Sequence, residues 1–424
     1  MKTARINRMV IGVVALLAFG FGWLAQPADA RTLEKGQPSV QIGDFEGMKV
    51  FMGMQTVGRF QALDHEKVYV DGAEQATIPV GFQTAWGSID FLAKYKDQIE
   101  VYFEVYLSSR PHPEKVYGHQ GYILARGTPE NLHAGPIASL FKAIDVKAGH
   151  FEIDYGDHRF RRSDNARVQQ NVLIGNYIID PKTVEIGVEV STEPNRFNAM
   201  VGVGNGGTTE KFKNGTGFSL HGKVWGDVTE SLRASGSFYR VDHSDNAPKF
   251  AGSWSNLFSG HRSGGPYSAV MVGGNAPGQI TPGEGQKVTA AQGDLTWKVG
   301  GLEVYGHVGW MEDADLNGSA AGTPQESWYY YSGESIYQFT PNLHAAVRYS
   351  GASAKTLNDV SSDGRIDRIQ VGGGFWLTKH IQLKAEYVHQ WCNDFIEAEG
   401  KVGGMDAWMD PTFNGVISEV SFSF

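Results

Sequence analysis

The sequence holds one cysteine, Cys392, so no disulfide can form within the chain. Beyond residue 30 no apolar run is long enough to cross a membrane as a helix. Leucine is sparse, and basic residues are in the minority, 37 Lys and Arg against 46 Asp and Glu. That balance argues against a nucleic-acid partner. There is no Gly-X-Ser-X-Gly nucleophile elbow and no Cys-X-X-Cys-His for covalent haem. His158, His221, His307 and His344 lack metal-ligand spacing. Asp242, Asp245 and Asn246 are oxygen-rich but lack a calcium-loop pattern and read as a solvated loop. The expectation is no enzyme, no metal and no cofactor, with Cys392 incidental.

What is abundant is different: 54 Gly, 10 Trp, 17 Tyr and 23 Phe. The leader comes first. Lys2, Arg5 and Arg8 precede the apolar run Met9–Leu24, and Ala28-Asp29-Ala30 supplies small residues for cleavage. Residues 1–30 therefore read as a signal peptide and 31–424 as the mature domain. The run is short for a hydrocarbon core of about 30 Å, which argues against a membrane anchor. Losing the leader removes three positive side chains and one negative one, leaving the chain still more acidic.

The stretch Thr412–Phe424 sets the pattern for the rest. Val416, Val420, Phe422 and Phe424 fall on one face of an extended strand, and Ile417, Glu419, Ser421 and Ser423 on the other. Ile99–Ser108 alternates more cleanly still. Its odd residues are all apolar, and Glu100, Tyr102, Glu104, Tyr106 and Ser108 share the opposite face. Two glutamates on one face suit water and not a packed core.

Sixteen such strands are expected. The first eight are Gly47–Phe60, Thr84–Lys96, Ile99–Ser108, Tyr117–Ala125, Ile144–Tyr155, Val184–Val190, Phe197–Val203 and Phe218–Gly226. Leu232–Val241, Val288–Val299, Leu302–Trp310, Trp328–Phe339, Leu343–Ser350, Ile369–Leu377, Ile381–Trp391 and the terminal strand complete the set. Gln61–Thr77 reads as a polar connection. Thr128, Pro129 and Glu130 suit a helix start, so residues 128–143 are expected to form a short helix broken at Gly135-Pro136. Connections alternate between tight turns and long polar loops, this helical one excepted. An all-β, transmembrane antiparallel barrel of about sixteen strands has that rhythm: short periplasmic turns, long outer loops and an even strand count. Trp225, Trp310, Trp328, Tyr349, Trp376 and Trp391 lie near strand ends and are expected to form mostly an interfacial girdle, with at most one or two in a sugar-stacking track.

The densest charge cluster is Asp157-His158-Arg159-Phe160-Arg161-Arg162-Ser163-Asp164-Asn165-Ala166-Arg167, in the connection 156–182 after the fifth strand. Arg159, Arg161, Arg162 and Arg167 could present guanidinium forks to anions. Asp154, Asp157 and Asp164 could instead tie them into a salt-bridged scaffold. A third arrangement sets the arginines across from wall acids, Glu100, Glu104, Glu185 and Glu189, whose plainer role is to solvate the wall. Lys147, Lys223, Arg233, Arg348 and Lys384 are further candidates on the same face.

With its Phe terminus and strand rhythm, the chain resembles Gram-negative outer-membrane porins. The approach Val146-Lys147-Ala148-Gly149-His150-Phe151, ahead of the charged connection, is distantly similar to the phosphate-selective porin family. The acidic strand faces and the lack of an arginine ladder depart from that family. The resemblance implies a passive diffusion channel for small hydrophilic solutes or ions. In it, the loop after the fifth strand folds into the pore as a charged constriction. It also implies a homotrimer in the bacterial outer membrane, contacts with lipid and lipopolysaccharide, and Phe424 as the signal to the barrel-assembly machinery. The alternative is a barrel that sheathes a partner protein, such as a cytochrome in an electron conduit.

Overall fold

The computed structural model describes residues 39–65, 69–70, 73–74, 80–96, 98–109, 114–126, 144–192, 195–206, 218–242, 257, 266–268, 287–313, 326–357, 360–361, 363–393 and 412–424. The leader, the expected helix at 128–143, and Asp245 and Asn246 lie outside the described residues.

Sixteen antiparallel strands form one closed sheet. They are β1 Met48–His65, β2 Trp86–Tyr95, β3 Ile99–Ser108, β4 Tyr117–Arg126, β5 Ile144–Glu152, β6 Val184–Thr192, β7 Phe197–Gly204 and β8 Ser219–Thr229. There follow β9 Leu232–Asp242, β10 Lys287–Val299, β11 Leu302–Asp313, β12 Glu326–Thr340, β13 Leu343–Leu357, β14 Arg365–Trp376, β15 Ile381–Asn393 and β16 Phe413–Ser423. Each strand pairs with its sequence neighbours. The sheet closes where Gln55–His65 of β1 pairs with Phe413–Ser423 of β16. Beyond β16 the ladder continues with reciprocal backbone bonds between Met54 and Phe424, 3.1 and 3.2 Å. Closure leaves no open edge in the wall, so every strand finds partners on both sides.

The expected strands are all present, with shifted ends. β1 runs five residues past Phe60, because Gln61, Leu63 and His65 keep the alternation and are buried inward. β5 stops at Glu152, before the expected Tyr155. A short strand not foreseen from sequence, Val40–Phe45, folds back on β1 across Glu46-Gly47. Both turn residues have positive φ, 52° and 87°, the conformation that tight hairpins require.

The two faces of the wall differ in kind. Outward residues are apolar and exposed, among them Val101, Phe103, Val201, Val224 and Val308. Inward residues are polar and buried, among them Glu104, Lys223, Asp294, Glu334, Arg348 and Gln370. A soluble protein would invert this; an apolar belt around a polar interior suits a barrel set in lipid. Trp328, expected in the girdle, is fully buried in an inward cluster with Tyr155, Ile178 and Tyr330. At the seam, Glu419 of β16 receives Arg59 of β1 at 2.7 Å and Lys384 of β15 at 2.9 Å. All three are buried, so the ion triplet links the first strand to the last two.

Candidate functional site

The charged connection begins where β5 ends. Gly156 is the pivot: its φ is +69°, and a Cβ there would meet the ring of His158 and the amide of Gln292. Only glycine fits. Its N–H donates to Ser237 Oγ (2.9 Å), and its carbonyl accepts from Lys223 (3.2 Å). A single 3₁₀ turn, His158–Phe160, follows. Asp164 and Arg167 then close a small turn through two reciprocal backbone bonds. Asn165 sits within it at φ +48°, a conformation asparagine tolerates. The Asn165 amide donates to the carbonyls of Gly87 and Ser108 and to Ser88 Oγ, which holds the turn against β2 and β3.

Each arginine of the cluster meets an acid. Arg159 lies 3.4 Å from Asp154 and donates to the Ile153 carbonyl. Arg161 pairs with Glu303 of β11 and with Glu334 of β12 (2.8 Å), over the ring of Tyr305. Arg162 sets its fork on Asp180, with contacts of 2.6 to 2.8 Å, and is fully buried. Arg167 reaches Asp90 of β2 (2.5 Å) and Glu104 of β3 (3.2 Å). Asp157 forms an ion pair with Lys223 (2.8 Å) and accepts from Arg233 (3.0 Å). Asp164 accepts from Lys182 and from Tyr106 (2.9 Å).

The four wall glutamates occupy the same inner face. Glu100 is partly exposed between Lys94 and Arg126, at 3.5 and 3.4 Å. Glu104 is buried and also accepts from His119 and Gln120. Glu185 accepts from Ser219 and Tyr239. Glu189 accepts from Lys147 (3.0 Å), contacts His221 (3.1 Å) and receives the backbone N–H of Asp154 (3.1 Å). Thus Glu104 and Glu189 touch the connection directly.

The second half of the connection is bound by strands far along the chain. Arg348 of β13 bridges Glu334 to the Gly175 carbonyl (2.7 Å) and Asn171 (2.9 Å), with its guanidinium over Tyr177. Lys384 of β15 donates to three carbonyls, those of Val168, Asn171 and Leu173, at 2.8 to 3.0 Å. Glu386 accepts the N–H groups of Ile174 and Gly175. Arg368 donates to the Asn176 carbonyl. Val172 and Leu173 pack with Ile336 and Ala346, and Ile174 with Leu63, Phe413 and Ile417. Tyr267, from the connection between β9 and β10, joins this layer through Glu386 (2.5 Å). Residues 153–183 therefore contact the inner faces of β1–β3, β6 and β8–β16.

Sequence reasoning missed Asp90, Asp180, Glu334 and Glu386. Three of them share the inward parity of residues it did find, such as Arg348 and Lys384. Asp180 carries no signal beyond being an acid within the same connection.

These surroundings shift the acids and bases of the connection. Burial alone would raise Asp154, Asp157 and Asp164, but their cations outweigh it. Lys223 leads for Asp154 and Asp157 and Lys182 for Asp164, and all three carboxyls lie below the usual range. Burial disfavours the charge on Arg161 and Arg162, yet Glu334 and Asp180 hold both firmly protonated. Burial pushes His158 down, so its imidazole is neutral. Its Nε2–H donates to the Pro181 carbonyl (2.8 Å), and its Nδ1 accepts from Gln292 (3.0 Å).

No protein-family model matches this chain, and no curated protein matches it. Solved structures do. The outer-membrane channel DcaP of Acinetobacter baumannii superposes with a TM-score of 0.55 at 11% identity, covering 91% of this chain and 100% of that one. The anion-selective porin from Comamonas acidovorans gives 0.54 at 12%, covering 89% and 100%. The trimer form of OmpT, an outer-membrane protein of Vibrio cholerae, gives 0.53 at 11%, covering 89% and 100%. At such low identity the likeness is one of architecture, and the architecture of this chain is that of the outer-membrane porins.

Proposed function

We propose that the protein is a passive porin of the bacterial outer membrane, which admits small hydrophilic solutes or ions and performs no chemical step. One observation carries the reading. The connection after β5 is bound to the polar inner faces of strands on several sides of the barrel, which supports its role as the constriction. Arg159 and Arg161 are its partly exposed cations, Arg162, Arg167, Asp157 and Asp164 are buried within its ion pairs, and Glu100, Glu104, Glu185 and Glu189 lie on the wall around it.

The pairing of these charges bears on selectivity. Rings of unpaired charge enrich counter-ions; here each arginine of the connection faces at least one carboxylate. The reading is a charge-balanced constriction, with no strong preference for anions despite the four arginines. The sheath alternative needs free space inside the barrel for a partner. Residues 153–183 occupy space that such a partner would need, which favours the channel.

Phe424, paired through its backbone to Met54, is proposed as the assembly signal. The apolar outer face would meet lipid and lipopolysaccharide. A homotrimer is the proposed assembly, supported by the trimer form among the similar structures.

The test is conductance of the purified protein in a planar bilayer under a salt gradient. A stable conductance with a reversal potential near zero is expected. A silent barrel would overturn the channel, and a large anion shift would overturn the charge-balanced constriction.

A further inference from the structure

Below the constriction, on the short-turn side, lies a cavity of about 310 Å³. It is bounded by residues 160–172 and by the turn-proximal ends of β1, β10–β14 and β16. That volume is at the small end of ligand sites.

The charged groups on its border are already committed. Arg161 pairs with Glu303 and Glu334, Lys298 with Glu303 (2.8 Å), and Arg167 with Asp90 and Glu104. A charged solute would have to pull one of these pairs apart in a poorly hydrated place, which is costly.

The glutamines point to a different chemistry. Gln55 Nε2 donates to the Asp90 carboxylate (2.8 Å). Gln170 Nε2 donates to the Arg162 carbonyl (2.7 Å), and Gln338 Nε2 to the Thr340 carbonyl (2.6 Å). All three partners can only accept. The amide orientations follow: nitrogen toward the protein, oxygen turned away from that partner. Gln55 Oε1 has no hydrogen-bond partner among the described residues, and it is enclosed beside the cavity, not open to it. Beside these amides lie the rings of Phe160 and Trp376 and the side chain of Ile336.

Carbonyl acceptors set beside flat apolar surface complement a molecule with many O–H donors and a C–H face. They do not complement an anion, which brings only acceptors. A cation would lie close to Arg161, Arg167 and Lys298. We propose that this cavity binds a neutral, hydroxyl-rich solute the size of a small saccharide. The side-chain amides of Gln170 and Gln338 meet its hydroxyls, and Phe160 and Trp376 receive its apolar face. As a permeant's resting place the site rests on the channel reading; as a binding site it can be tested without it.

The experiment is saturation-transfer NMR on the full-length protein in detergent, with sucrose, phthalate and choline as probes. Saturable sucrose binding that exceeds both ions is expected. Gln338→Leu and Gln170→Leu should each weaken it about tenfold. Val308→Leu, on the outer face, should leave it unchanged. Heat-modifiable migration on a gel establishes that each variant is folded. No saturable sucrose binding by the unaltered protein overturns the proposal, as does stronger binding of either ion. Undiminished binding by folded Gln338→Leu and Gln170→Leu overturns the assigned groups. Bilayer conductance is read separately, so a conducting barrel that ignores sucrose sinks this site and spares the channel.

Discussion

Val308 and Glu334 lie on neighbouring strands, yet they live under different rules. Val308, on the outer face of β11, is 66% exposed, and its surroundings ask only that it be apolar. Glu334, on the inner face of β12, is buried and holds Arg348 at 2.5 Å and Arg161 at 2.8 Å. The contrast extends over the whole wall. Outer residues solve one problem, contact with hydrocarbon, and many side chains solve it equally well. Inner residues solve many separate problems, each with its own partner. The outer face should therefore tolerate exchange among apolar residues, whereas the inner face should tolerate little.

The largest effect is expected at Arg162 and Asp180. Breaking a buried pair strands a charge and costs about 3–5 kcal/mol. Asp180→Ala should loosen residues 153–183 while the strand ladder stays closed. Hydrogen exchange should quicken in that connection, conductance should rise, and heat-modifiable migration should persist. A variant with unchanged exchange and conductance would mean that this pair does not hold the connection in place.

Next comes the outer face. Val308→Arg places a charge near the middle of its strand and should cost about 2–4 kcal/mol. Val308→Leu should cost less than about 0.5 kcal/mol. Urea titration of folding into lipid vesicles measures both. Equal values would erase the contrast between the two faces.

A smaller effect is expected from Glu334→Gln, which keeps the shape but leaves Arg161 and Arg348 with less negative charge. The reversal potential should move toward anion preference. A shift toward cations, or none, would show that these arginines do not face the conducting path.

The smallest effect concerns pH. Asp154, Asp157 and Asp164 have folded pKa values below the ordinary 3.8. Their stabilising contribution is complete above 3.8 and is lost only as pH falls through the lower folded values. Conductance should thus hold steady from neutral pH down to about 4. A midpoint above 4 would mean that burial outweighs the cations at these acids.

Much of the wall could be read directly. Ile99–Ser108 shows its two faces by simple alternation, and the Val101 and Phe103 side really does lie outward, with Glu104 and Tyr106 buried inward. The strand ends were less legible. Gln61–His65 looked like a polar connection because inward strand residues here are polar, and a polar strand and a loop share a composition. Trp328 misled for the reverse reason: an aromatic near a strand end suits a girdle, but this one packs inward on Tyr155 and Ile178.

The charged connection divides the same way. The density of Arg159–Arg167 marked where charge would gather. Nothing local could name Glu334 as the partner of Arg161, 173 positions away, or Lys384 as the clamp on three carbonyls more than 200 positions back. By itself the sequence determined strand parity, turn rhythm and the place of the charge cluster, because each depends on near neighbours and a period of two. Which acid neutralises which arginine, and which glutamines border the cavity, was decided only by the tertiary structure. Barrel closure brings β1 beside β16, and the inward connection then meets side chains that no local pattern links.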